Sequence, residues 1–235
     1  MDFSRLHADS IDADVVLVLH FGGWGNVPLA LAGEFVPLVS GVERYFQIHG
    51  FRTLVASYRR APADFPDAPD LGVQLAVVTE MFGFHKTRVR RFAVLLETLA
   101  VKNPDVHFIL LGQSNGAIFV DEAIKLLSSR FANRVAGIVA GMPFWKNASG
   151  CENILYLDNE GNDELTKGEV GEIFGTVLQR LYQRMAAVLG LRIGRYERIW
   201  YLPSHDYDWQ QVEPAVTAFL DRLQLKKSKA SSVDN

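Results

Sequence analysis

The chain carries a single cysteine, Cys151, among 235 residues, which excludes an internal disulfide and with it the stapled frameworks of small secreted domains. It has no basic excess, since 24 Lys and Arg against 27 Asp and Glu leave a formal net charge of -3. Without surplus cations there is no broad face to displace counterions from a phosphate backbone, so nucleic acid is not expected as a partner. No apolar run approaches the roughly 18 residues that a membrane-spanning helix requires. The opening stretch Met1 to Ser10 lacks the basic start and apolar middle of a secretory leader, and the expected location is cytoplasmic. The nucleotide-binding patterns G-x-G-x-x-G and G-x-x-x-x-G-K-[ST] are missing, and Cys151 and the six histidines show no zinc-ligand spacing. Neither a cofactor nor a metal is expected.

What is present suits one folded domain. Hydrophobic residues make up 49% of the chain, aromatics 11% and charged residues 22%, enough for a substantial core and unlike a disordered composition. Short β-branched runs alternate with longer amphipathic stretches, the pattern of parallel strands joined by crossover helices. Strands are expected at Val15 to His20, Thr53 to Tyr58, His107 to Leu111, Val135 to Ala140, Ile154 to Leu157 and Ile199 to Leu202. Helices are expected at Ala30 to Ile48, Arg88 to Val101, Ala117 to Ser129, Val170 to Leu189 and Gln211 to Leu223. The fold class is therefore α/β, a mostly parallel sheet of about six strands with helices on both faces, in one domain over residues 1–225. Residues 60–87, rich in proline and aromatics, form either a lid or a long irregular connection. Residues 226–235 read as an unstructured tail.

The chemistry concentrates at Gly112-Gln113-Ser114-Asn115-Gly116, which follows the apolar run His107 to Leu111 and opens onto the helix-like Ala117 to Ile124. A serine on a tight turn between strand and helix is presented at the carboxyl edge of a sheet, and flanking glycines let the two backbones pass closely. A serine hydroxyl needs a base to act as a nucleophile, and the base needs a group to orient it. Among the histidines, His205 sits just beyond the last expected strand and before the final helix, where ligand sites of parallel sheets gather. His49 precedes a glycine at a helix end, His107 begins a strand at the opposite edge, and His7 and His85 fall in irregular segments. The acidic loop Asp158-Asn159-Glu160-Gly161-Asn162-Asp163-Glu164 follows another strand at its carboxyl end. Asp163 is the favoured acid and Asp158 its rival, being closer to the strand.

With these elements in the order Ser114, Asp163, His205, the chain resembles the α/β-hydrolase superfamily over most of residues 14–224. The resemblance implies a minimal form of that fold without a large cap, because little chain separates Ala140 from Ile154. It also implies oxyanion donors after the first strand, where Phe21, Gly22 and Gly23 are the candidates, and a second donor at the N–H of Asn115. Losing one such donor typically costs about 3 kcal/mol of transition-state stabilisation. Phe21 stands between His20 and Gly22, a departure from the family's His-Gly-Gly pattern that leaves the first donor open among the three. The implied activity is serine hydrolysis of a carboxylic ester or thioester through an acyl-enzyme. A catalytically silent relative that binds a small apolar ligand or a partner protein is the alternative. Phe21, Trp24, Phe65, Phe82, Phe84, Phe144 and Trp145 lie in expected loops and favour a small substrate with an apolar group.

Overall fold

The computed structural model describes residues 3–20, 35–58, 86–160, 162–168 and 206–226. In chain order the elements are α1 (Phe3–Ser10), β1 (Val15–His20), α2 (Val36–Ile48), β2 (Thr53–Ser57), α3 (Lys86–Lys102), β3 (His107–Gln113), α4 (Asn115–Leu126), a 3-10 turn at Ser129–Phe131, β4 (Val135–Ala140), β5 (Ile154–Leu157), α5 (Glu164–Lys167) and α6 (Trp209–Arg222). The five strands form one sheet in the order β2-β1-β3-β4-β5, with every pairing parallel. The expected strand at Ile199 to Leu202, the expected helix at Val170 to Leu189 and nearly all of the candidate lid lie outside the described residues. Lys86 and Thr87, at the end of that lid, already belong to α3.

Parallel strands covered on both faces must be apolar throughout, and β3 and β4 are buried at every position. Alternate side chains feed two cores. Val16, Val18, Phe108 and Leu110 pack with Phe92 and Leu96 of α3 and Phe119 and Ala123 of α4. Val15, Leu17, Ile109 and Leu111 pack with Leu38, Val42 and Phe46 of α2 and Val216, Phe219 and Leu220 of α6. Full burial of each Val, Leu, Ile or Phe among them contributes about 1.5–3 kcal/mol. Helix α2 approaches α6 so closely that a Cβ on Gly41 would lie 2.0 Å from the Trp209 ring.

Helix α1 is an addition to the sequence expectation, and it moves His7 from an irregular segment onto a helix. The helix is short and its buried Leu6 offers little periodicity to read. At the amino edge of the sheet, Asp14 accepts hydrogen bonds from the Arg52 backbone at 2.8 Å and from its guanidinium at 3.1 Å. His107 starts β3 as expected, and its Nε2 lies 3.1 Å from the carbonyl of Lys226, the first residue of the expected tail. Burial pushes the His107 pKa down, with the positive charge of Arg134 adding to the effect.

The strand order fixes where a site can form. From β1 the chain steps to β2 on one side and then crosses to β3 on the other. The carboxyl ends of β1 and β3 therefore flank a topological switch point, where a crevice opens in such sheets. The β1–β3 register pairs His20 with Gly112. The segment that leaves β1 and the turn that leaves β3 thus begin side by side.

Candidate active site

Ser114 occupies the turn between β3 and α4, as its motif suggests, and its backbone is unusual. Its φ of 56° and ψ of -121° fall in a region that a residue with a Cβ enters only under strain, at a cost of about 1–3 kcal/mol. The turn is held on both sides. Ser114 N–H donates to the Ala140 carbonyl at the end of β4 at 2.9 Å, and the Ser114 carbonyl accepts from Ala117 N–H at 2.9 Å. Gly112 makes the reversal sterically feasible. A Cβ there would lie 2.4 Å from the Gly116 carbonyl oxygen and 2.9 Å from Val120 Cγ2.

Asn115 is the first residue of α4, so its N–H belongs to the unpaired, positively polarised start of a helix. Its side chain is buried, and among the described residues its Oδ1 has no hydrogen-bond partner. Phe21, Gly22 and Gly23 lie outside the described residues, as does His205.

Asp163 and Asp158 differ in environment. Asp163 is fully buried at 0% exposure, whereas Asp158 is exposed. After β5 the chain reverses through Asn159 and Glu160, both with positive φ, at 55° and 57°. This turn brings Asp163 N–H back to the Asp158 carbonyl at 3.3 Å. The Tyr207 hydroxyl then donates to Asp163 Oδ2 at 2.5 Å and lies 3.2 Å from the Leu157 carbonyl. Tyr207 is itself only 1% exposed. Burial raises its pKa steeply, and the adjacent Asp163 carboxylate raises it further, so the phenol keeps its proton and serves as donor.

Ser114 and Asp163 thus stand at the carboxyl ends of β3 and β5, with β4 between them.

The loop from Gly141 to Asn153, between β4 and β5, is fastened to α4. Asp121 accepts from Tyr156 Oη at 2.5 Å and from Ser149 N–H at 3.1 Å, and it pairs with Lys125 at 2.9 Å. Lys146 reaches Glu122 at 2.9 Å. On this loop Phe144 is exposed and meets Trp145 edge-to-face at 5.0 Å. A Cβ on Gly168, which follows α5, would come within 2.9 Å of the Phe144 ring. The loop aromatics therefore adjoin the acid segment.

No family model matches the sequence, and a search of curated proteins finds no match. Among solved structures, the chain is similar to a Trichoderma reesei cutinase determined in complex with a C11Y4 phosphonate inhibitor. The match covers 91% of this chain and 77% of that one, with a TM-score of 0.52 and 16% identity. The fold is that of the α/β-hydrolases. Sequence reasoning did not single out Tyr207. It stands in view in His205-Asp206-Tyr207, yet nothing in the sequence marks its contact with a residue 44 positions earlier.

Among the described residues no group of three His, Cys, Asp or Glu side chains could hold a metal ion, and no helix is long and apolar enough to cross a membrane.

Proposed function

We propose that the protein is a serine hydrolase that cleaves a carboxylic ester or thioester through an acyl-enzyme, with Ser114 as nucleophile, His205 as base and Asp163 as the acid that orients it. The observation that carries this assignment is Ser114 at a strained, positive-φ turn on the same sheet edge as a buried, hydrogen-bonded Asp163. A structural serine has no need of such a backbone, and strain of this kind persists where the surroundings enforce it for a purpose.

His205 takes the proton of Ser114 as the hydroxyl oxygen attacks the acyl carbonyl. The resulting oxyanion is held by the N–H of Asn115 and by an N–H of Phe21, Gly22 or Gly23, which follow β1 in the sequence. The C–O or C–S bond then breaks, and the alcohol or thiol leaves with the proton from His205. Water gives a proton to His205 and attacks the acyl-enzyme, releasing the acid and restoring the Ser114 hydroxyl. Asp163 stays ionised and stabilises the imidazolium formed in each half-reaction. The exposed Phe144 beside Trp145 favours a small substrate with an apolar group. The free Cys151 agrees with work in the reducing cytoplasm.

The test is labelling of purified protein with a fluorophosphonate probe, read by intact mass and peptide mapping on wild type and Ser114→Ala. Labelling confined to Ser114 is expected. Folded protein that takes up no probe refutes the hydrolase assignment and leaves a silent binding protein in its place.

A further inference from the structure

Three polar arrangements lie outside the triad: the Asp121 network, the His107 contact with Lys226, and the Tyr207 hydroxyl. The first fastens a loop to α4 through groups that satisfy one another. The second lies at the amino edge of the sheet, remote from the chemistry. Tyr207 alone touches a group to which a reaction step has been assigned.

Resting on the hydrolase assignment above, we propose that Tyr207 is a positioning residue for catalysis, whose hydroxyl fixes the rotamer of Asp163, the acid assigned to orient the base. A carboxylate in a wholly buried site would otherwise rotate to share its charge between both oxygens and any nearby donor. Here Oδ2 is taken by the Tyr207 hydroxyl at 2.5 Å. Hydrogen bonds to ionised acceptors are the strong ones, and this one has the short length expected of its type.

The same hydroxyl lies 3.2 Å from the Leu157 carbonyl at the end of β5. A phenol has one proton, so the shorter contact to the anion takes it. The Leu157 contact then marks where the ring is held, against the end of the strand from which the acid loop departs. Tyr207 packs in the core with Leu38, Leu111 and Val212, and its ring cannot swing away without opening that core. Tyr207 follows His205 by two residues in the sequence, so one side chain ties the segment just after the assigned base to the loop bearing the acid. Rigid support of this kind separates a productive constellation from one that is merely assembled.

The experiment measures steady-state hydrolysis of p-nitrophenyl butyrate by wild type, Tyr207→Phe, Asp163→Asn and the double variant, with thermal unfolding of each as a check on folding. Tyr207→Phe is expected to lower kcat about tenfold with KM nearly unchanged. In the Asp163→Asn background the same change is expected to cost nothing further. An unchanged kcat, a loss carried by KM, or an equal loss in both backgrounds would overturn the proposal. If Tyr207→Phe does not fold, a ring-fluorinated tyrosine at position 207 keeps the shape and makes a stronger donor. It should then shift kcat when Asp163 is intact and leave kcat unmoved in the Asp163→Asn background; no shift with Asp163 intact, or the same shift in both backgrounds, would overturn the proposal. Wild type that does not turn over the ester, or Ser114→Ala that still does, refutes the hydrolase assignment itself and takes this inference with it.

Discussion

Replacing Ser114 by glycine should stabilise the protein while abolishing its activity, and the size of the effect follows from the backbone. Ser114 sits at φ 56° and ψ -121°, where a Cβ costs about 1–3 kcal/mol. Glycine removes that strain but brings extra unfolded-state freedom worth about 0.5–1 kcal/mol. The proper reference is Ser114→Ala, which loses the hydroxyl and keeps the Cβ. Relative to alanine, glycine should gain about 1 kcal/mol, within a range of roughly 0 to 2.5. A domain of this size moves its thermal midpoint by about 2–4 °C per kcal/mol, so the gain should read as about 3 °C. The hydrogen bonds of the turn use backbone groups and are unaffected by either change. Thermal unfolding followed by circular dichroism on the two purified variants gives the comparison directly. A Ser114→Gly midpoint below that of Ser114→Ala would mean that the turn is unstrained, and the physical case for a nucleophile elbow would fall with it.

Asp163→Asn should cut ester turnover by about 10⁴-fold, while Asp158→Asn, at an exposed position, should change it little; the reverse ranking in steady-state assays would transfer the acid role to Asp158. Gly112→Ala should destabilise by about 3 kcal/mol, because the new methyl would meet the Gly116 backbone at 2.4 Å, and a urea midpoint equal to that of wild type would contradict the close approach. For His107, burial lowers the folded-state pKa, so the unfolded chain binds its proton first as pH falls. Stability should then decline from about pH 6.5 downwards, and thermal scans across this range should show a shallower decline in His107→Gln. Asp121 shows the carboxylate case. Burial works to raise its pKa, but the bonds from Ser149, Tyr156 and Lys125 outweigh it and hold the pKa low. Its contribution should be complete above about pH 4 and fade as pH falls through the lowered value, so Asp121→Asn should be less acid-sensitive than wild type in the same scans.

The sheet was legible in the chain alone. Strand β4 at Val135–Ala140 and β5 at Ile154–Leu157 have the expected bounds, because a buried parallel strand must be a continuous apolar run and has no other way to be written. Helix α3 runs two residues earlier than expected at its start and one later at its end, since the apolar stripe marks where a helix packs and not where its last turns stop. Ser114 was legible for a local reason: Gly112 and Gly116 answer a steric demand that lies within five residues of chain. Asp163 and Asp158 could not be told apart in the sequence, for both carboxylates have the same composition around them. Tertiary structure separated them, burying one against Tyr207 and leaving the other exposed. The bond between Tyr207 and Asp163 joins residues 44 apart in the chain, and neither periodicity nor spacing encodes such a contact. It exists because α6 packs on the sheet face to which Leu157 of β5 contributes, and that proximity is a property of the folded chain alone.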